Sequence, residues 1–151
     1  MFHVALLEPE IPPNTGNVLR TCAATGTALH LIGRLGFRLD HREFRRAALD
    51  YGDDFALHRH ATLEAFEAGW TEGRLFCFSA RAPVPYTQAR FQEGDCLLFG
   101  CESHGLPESV LARHAGRVLC IPMPTGKVRS LNLATAVGVV LYEALRQTQG
   151  W

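Results

Sequence analysis

"DCLLFGCESHGLPESVLARHAGRVLCIP", Asp95 to Pro122, holds a complete structural unit. "DCLLFG" is a short, β-rich apolar run that stops at a glycine, a helical segment begins near Pro107, and "RVLCIP" is a second apolar run. The same alternation extends toward the amino end through "FHVALLE", "ALHLIG", "FALHRH" and "RLFCFSA", mostly separated by helices that begin near Asn14, His41 and Thr62. A last helix begins near Ser130, a plausible N-cap. No repeat, linker or low-complexity tract interrupts the pattern. This order predicts an α/β fold, a mostly parallel sheet covered by helices on both faces, in one domain spanning residues 1–151.

Composition narrows the class. With 151 residues, 47% hydrophobic and 20% charged, the chain is long enough to bury about two-thirds of the surface it exposes when unfolded. Its longest apolar run, near Val137 to Leu141, is far short of a membrane span, and "MFHVALLEPE" lacks a basic leader, so a cytoplasmic location is expected. Five cysteines, Cys22, Cys77, Cys96, Cys101 and Cys120, sit mostly in apolar runs without C-x-x-C spacing. They read as reduced, buried small hydrophobes, and no metal site is expected. His3, His30, His41, His58, His60 and His114 show no ligand spacing and receive no role.

The net charge is zero, which argues against coating nucleic acid by bulk electrostatics. Locally the balance differs. In "RLGFRLDHREFRR", Arg34 to Arg46, five arginines face Asp40 and Glu43, and Arg38, Arg42, Arg45 and Arg46 recur near helical spacing. Such a face is either solvated or built to meet phosphates. The final helix, "SLNLATAVGVVLYEALRQ", is apolar nearly all round, which predicts either a central place in the core or packing on a second copy of the chain. A dimer is expected.

Near the amino end, "IPPNTGNVLRTCAATG", Ile11 to Gly26, reads as a helix opened by two prolines and an asparagine and closed by a glycine. Asn14 and Arg20 admit two readings here. In one Asn14 caps the helix and Arg20 is solvated; in the other the helix presents a functional arginine to an anionic partner.

In a parallel sheet, ligands bind beyond the carboxyl ends of the strands. Three strand ends run into unusual turns: "SARAPVP" after Phe78, "GCESHGLP" after Phe99 and "IPMPTGKVRSLN" after Cys120. Side by side, these loops can form one pocket lined by backbone donors and acceptors. "GCESHG" is not G-x-G-x-x-G, and Lys127 in "TGKV" lacks the glycine and hydroxyl of a P-loop. A nucleotide-like pocket without a pyrophosphate cradle suits adenosine without a phosphate chain, and S-adenosylmethionine fits that description.

Three separated motifs carry a specific likeness. "PPNTGNVLRT", with its N-x-G-x-x-x-R core, "LLFGCESHGLP", with G-x-E-x-x-G-L, and "IPM" followed by "RSLNLATAVGVVLYEA" resemble the motifs of the SpoU (TrmH-like) branch of SPOUT methyltransferases. The chain is most similar to the small single-domain subgroup of tRNA wobble-nucleotide ribose 2′-O-methyltransferases, the TrmL (YibK) type. Likeness runs through nearly the whole chain, including "EPEIPPNTGN" and "RRAALDY". The resemblance implies a C-terminal trefoil knot, where general rules of unknotted connection give an ordinary doubly wound sheet. It also implies a homodimer, with the anticodon stem-loop of tRNA lying near residues of both subunits, and a reaction without a metal.

Site residues follow by position in the motifs. The resemblance makes Arg20 catalytic, supported by Asn14, with Glu102, Ser130 and Asn132 around the reacting groups. It implies S-adenosylmethionine contacts at Phe78, Gly100, Ile121 and Ser130, with Ser79, Glu102, Gly105, Met123 and Leu131 close by. Arg20, Arg42, Arg45, Arg46, His104 and Arg129 become candidates for RNA contacts, and Tyr142 for RNA or the dimer seam. Ser103 and His104 stand where the subgroup often has Thr-Arg, which weakens or pH-tunes a phosphate contact. Two other readings stay open: a non-catalytic RNA-binding protein that keeps the pocket, and a ribosomal RNA 2′-O-methyltransferase.

Overall fold

The computed structural model describes residues 1–48 and 55–151, so Leu49 to Tyr51 of the "RRAALDY" segment lie outside the described residues. Six strands form one sheet: β1 (His3–Leu7), β2 (Ala28–Ile32), β3 (Leu57–His60), β4 (Leu75–Phe78), β5 (Cys96–Phe99) and β6 (Val118–Leu119). Their order is β3-β2-β1-β5-β4-β6, and every pairing is parallel. Each run picked out as β-rich in the sequence supplies one of them.

Among the described residues five α-helices cover the sheet: α1 (Pro12–Thr25), α2 (Arg42–Ala48), α3 (Leu63–Gly69), α4 (Glu108–Arg113) and α5 (Leu133–Gln149). Because side chains alternate along a strand, the continuous apolar runs feed two cores. Val4, Leu6, Leu29, Leu31, Leu97 and Phe99 pack with Val18, Cys22, Phe44, Val137 and Leu141 of α1, α2 and α5. Ala5, Leu7, Ile32, Cys77, Cys96 and Leu98 pack with Leu63, Phe66 and Val110 of α3 and α4. The result is a three-layer sandwich whose sheet is buried on both sides.

Several helix starts shift from their expected positions. Ile11 is the N-cap of α1 and the two prolines fill its first positions, so Asn14 lies inside the helix and does not cap it. The cap of α5 is Asn132, whose side chain accepts from Thr135 N–H at 3.2 Å, and Ser130 precedes the helix. Thr62 caps α3 as a hydroxyl should, accepting from Ala65 N–H at 3.1 Å. Arg38 lies before α2 and pairs with Asp40, so the basic helical face comprises Arg42, Arg45 and Arg46. On α5, Val137, Val140 and Leu141 are buried, but Val139 is only half-buried and Tyr142 is exposed. The cysteines divide likewise: Cys22, Cys77 and Cys96 are buried, whereas Cys101 and Cys120 are half-exposed. Burial pushes the Cys77 thiol up to about 12.

One cluster had no counterpart in the sequence reading. His3 Nδ1 lies 3.1 Å from His30 Nε2, and His30 Nδ1 lies 2.9 Å from His60 Nε2, a chain that three neutral imidazoles satisfy with one shared proton in each contact. His58 stacks on His30 with ring centroids 4.9 Å apart, and Phe66 and Trp70 close the group. Adjacent parallel strands create it, since His30 pairs in register with His58. Burial drives the His30 pKa from 6.5 to about 3, assisted by repulsion from His3, His58 and His60. His3 and His60 are also lowered, chiefly by burial, with Glu72 opposing the shift at His3.

A histidine whose folded pKa is depressed binds its proton more readily in the unfolded chain. The stability it contributes is therefore complete above 6.5 and is lost as the pH falls toward about 3. We expect the unfolding free energy in urea to fall between pH 7 and pH 5, with a slope that steepens toward about 1.4 kcal/mol per pH unit from His30 alone as pH 5 is approached. His30→Gln, which hydrogen-bonds but does not titrate, should flatten that limb; an unchanged slope would show that other groups set it.

Candidate active site

All six strands run the same way, so their carboxyl ends share one edge, and the strand order sets the ends of β5, β4 and β6 side by side. A cavity of about 700 Å³ opens there. Phe78 and Phe99, paired across β4 and β5, form an apolar floor, their rings stacked 4.7 Å apart at 12°. The walls come from the β4 turn at Ser79 to Arg81, the β5 turn at Gly100 to Leu106, Ile121, Met123 and Arg129 to Leu133 from the approach to α5, and Ile11 and Asn14 at the start of α1.

Backbone pairing fixes the first and last of the strand-end turns against each other. Ser79 N–H donates to Leu119 O at 3.0 Å, Cys120 N–H to Val84 O at 2.8 Å, and Tyr86 N–H to Cys120 O at 2.8 Å. The exit from β6 is thereby laced to the loop after β4.

Each element of the G-x-E-x-x-G-L motif has a separate physical reason. A Cβ on Gly100 would lie 2.0 Å from the carbonyl carbon of Gly105, so only glycine lets the turn fold back on the strand end. Gly105 closes that turn at φ 67°, with its N–H on Cys101 O at 2.9 Å. Leu106 is buried and anchors the turn in the α3–α4 core, and Pro107 opens α4. Glu102 turns toward α1, accepting Glu10 N–H at 3.0 Å, Ile11 N–H at 2.5 Å and Asn14 Nδ2 at 3.4 Å. A carboxylate at a helix amino end meets unpaired N–H groups and the positive end of the helix dipole.

From Asn14 the chain of bonds continues. Its Oδ1 accepts from Asn132 Nδ2 at 2.9 Å, and Asn132 caps α5. One residue from each motif, Asn132, Asn14 and Glu102, is joined in a single hydrogen-bonded line beside the cavity. In the other direction, Glu10 Oε1 accepts from Ser103 N–H at 3.0 Å and Ser103 Oγ at 2.5 Å. The Ser103 hydroxyl and N–H, aided by the Cys101 thiol, hold the Glu10 carboxyl down to about 2.

The sequence-derived residues divide between two places. Asn14, Phe78, Ser79, Gly100, Glu102, Gly105, Ile121, Met123, Ser130, Leu131 and Asn132 all line the cavity, as do His104 and Arg129 at its mouth. Arg20 is exposed and lies outside that lining, as do Arg42, Arg45 and Arg46. Arg20 is four residues beyond Gly16 and shares its helical stripe. A Cβ on Gly16 would stand 2.5 Å from Ala47 Cβ, so that stripe faces α2, the helix of the three arginines. The basic residues therefore occupy two packed helices, of which α1 reaches the pocket through Asn14. Glu10 escaped the sequence reading, although it sits within a stretch that carried the resemblance, and Ser103, singled out there only for a phosphate contact, binds Glu10. Among the described residues, no group of His, Cys, Asp and Glu side chains is arranged to hold a metal.

An all-parallel sheet with a cavity at three adjoining strand ends places the chain among α/β proteins that hold a ligand at the carboxyl edge of the sheet. A profile of the SpoU rRNA Methylase family matches residues 1–142, and the chain belongs to that family. It is 45% identical to the tRNA (cytidine(34)-2'-O)-methyltransferase of Escherichia coli (strain K12), covering 97% of this chain and 94% of that one. Identity to the protein of the same name from Saccharophagus degradans is 46%, covering 97% and 96%. A solved structure concerned with 2-OH methylation of C/U34 on tRNA superposes with TM-score 0.94 at 55% identity, over 100% of this chain and 98% of that one. An AdoMet-bound rRNA methyltransferase from Sinorhizobium meliloti gives 0.83 at 31% identity, over 96% of this chain and 56% of that one.

The turn after β5 offers a direct check. Gly100→Ala should cost about 2–3 kcal/mol or more in denaturant unfolding, because backbone atoms, not a flexible side chain, occupy the space. Gly69→Ala, at the end of α3 with nothing within 4 Å, should stay within about 0.5 kcal/mol of the parent.

Proposed function

We propose that the protein is a tRNA 2′-O-ribose methyltransferase that uses S-adenosylmethionine and acts on the wobble pyrimidine, cytidine or a 5-substituted uridine, of the anticodon loop. The single observation that carries this reading is the Asn132–Asn14–Glu102 line, which joins one residue from each of the three motifs at the wall of a nucleoside-sized cavity. Relatives of this length and identity bear that activity in their names.

The residues present suit the cofactor. The Phe78 and Phe99 floor offers an apolar platform, and three strand ends offer backbone polar groups. Bound S-adenosylmethionine supplies an electrophilic methyl group on a sulfonium. What this chain's residues would supply is the placement of the ribose 2′-hydroxyl against that methyl group and a path by which its proton reaches water. Positioning therefore matters more than covalent chemistry from the protein. Both oxygens of Glu102 already accept protein hydrogen bonds, so its part is to hold the amino end of α1 beside the cavity. Ser130, Leu131 and Met123 close the pocket from the α5 side.

Arg20 is the proposed catalytic arginine. A charged guanidinium has no lone pair with which to accept a proton, and its planar fork suits the phosphate beside the acceptor ribose. There it steadies negative charge on the reacting oxygen while the proton departs. Arg42, Arg45, Arg46, His104 and Arg129 are proposed to contact neighbouring phosphates. The acceptor nucleotide would lie between the cavity and Arg20, and a homodimer with RNA near residues of both subunits accommodates that separation. Half-buried Val139, with exposed Tyr142 and Trp151 whose rings lie 6.1 Å apart, supplies an apolar outer stripe for such a dimer. The lacing of the β6 exit to the loop after β4 supports the knotted connection of a single SPOUT domain. A cytoplasmic setting follows from a tRNA substrate. Among the described residues no helix is long and apolar enough to cross a membrane.

Labelled methyl transfer from S-adenosylmethionine to unmodified tRNA, with nuclease mapping, tests the reading. A 2′-O-methyl pyrimidine at the wobble position is expected; methylation of ribosomal RNA alone, or tight RNA binding without transfer, would replace it. Arg20→Ala should lower turnover at least 100-fold while cofactor affinity stays within about threefold, and Arg20→Lys should fail nearly as badly because the fork is lost. Joint replacement of Arg42, Arg45 and Arg46 by Gln should raise the KM for tRNA about tenfold and reduce its salt dependence.

A further inference from the structure

Two loops exchange carboxylates at the site. Glu102, in the turn after β5, reaches across to the backbone N–H groups of Glu10 and Ile11 at 3.0 and 2.5 Å. Glu10 reaches back to the N–H of Ser103 at 3.0 Å and to its hydroxyl at 2.5 Å. Residues 10 and 11 lead directly into α1, and residues 102 and 103 sit in the wall of the cavity. Each acid therefore binds the backbone of the loop that bears the other, so the two loops are fixed in offset as well as in distance. A single bridge would leave the loops free to pivot. The reciprocal pair removes that pivot.

We infer that Glu10 and Ser103 are positioning residues for methyl transfer, closing a two-carboxylate clasp that sets α1, and with it Arg20, against the cofactor cavity. This rests on the function proposed above. Glu10 is outside the cavity lining and its side chain meets Ser103, so it acts through the loop that it ties. Further support comes from the chain of bonds beyond the clasp. Glu102 also receives Asn14, and Asn14 receives Asn132 at the start of α5, so slack at Ser103 would pass to three walls of the pocket. Serine fits the geometry because one residue offers both an N–H and a hydroxyl to the same carboxylate oxygen.

The test compares Glu10→Ala, Ser103→Ala, the double variant and Ser103→Thr in the full protein. Each alanine variant should lower kcat about tenfold, while the Kd for S-adenosylmethionine stays within threefold. The double variant should lose no more than the worse single one, since either change opens the same clasp. Ser103→Thr, which keeps the hydroxyl, should recover most of the rate. Losses that multiply, or a Glu10→Ala enzyme within twofold of the parent, would overturn the inference. Amide hydrogen exchange on the free protein judges the clasp without any substrate. Glu10 and Ile11 amides should exchange at least tenfold faster in Ser103→Ala, and unchanged protection would overturn it. If the parent methylates no tRNA yet these amides loosen as described, the clasp stands and the substrate reading falls.

Discussion

Two consecutive N–H groups at the amino end of α1, those of Glu10 and Ile11, point at the carboxylate of Glu102, and much of the site's geometry follows from that contact. Pro12 and Pro13 occupy the first helical positions and have no N–H to offer, so the helix opens with fewer unpaired donors than usual. Those that remain before the prolines, on half-buried Glu10 and exposed Ile11, find no acceptor within the helix. A carboxylate on a neighbouring loop satisfies them, and it lies at the positive end of the helix dipole. The helix is thereby oriented by the same loop that walls the cavity, instead of by a cap of its own. Its packing is then completed at Gly16, where α2 comes too close for any side chain.

This coupling explains why the three motifs are far apart in sequence yet adjacent in space. A parallel sheet delivers strand ends to one edge, but strand ends alone make only a floor. Walls must come from segments that enter from elsewhere, here α1 from the side of β1 and the approach to α5 beyond β6. Asn132 and Asn14 tie those two together with one 2.9 Å bond, and Glu102 ties both to the turn after β5. The polar motif residues thus perform two tasks, completing the pocket and holding its walls in register.

Strand positions were legible because each is an apolar run with a turn at its end, and the two-faced burial of a parallel sheet makes such runs continuous. The pocket was legible for a related reason, since Gly100 and Gly105 mark a turn that no other residue could make. Helix starts were less so. Ser130 and Asn14 are good capping residues by type, but Pro12 and Pro13 start α1 ahead of Asn14, and at α5 it is Asn132 whose side chain reaches Thr135 N–H. The histidine chain was invisible for a different reason. His3, His30 and His60 are far apart in sequence and meet only once β1, β2 and β3 pair in register, which no local spacing reveals. Glu10 likewise looks like an ordinary loop acid until the turn after β5 is placed against it.

The separation of Arg20 from the cavity bears on how the proposed chemistry divides. A pocket that binds the methyl donor through an apolar floor and backbone groups has little need of a cation, and a guanidinium within it would lie close to a sulfonium of the same sign. Arg20 stands on another stripe of α1, the one that bears Gly16 against α2, and in the proposed chemistry that position would suit a phosphate of the acceptor and keep the charge away from the positive sulfur. Under that proposal the acceptor ribose would bridge the two regions, with its 2′-oxygen directed at the cavity and its phosphate at Arg20. Such a bridge works only if the distance between cavity and helix is fixed before RNA arrives. In this protein hydrogen bonds among Glu10, Glu102, Ser103, Asn14 and Asn132 already join that helix to the cavity wall, and none of them requires the substrate to form.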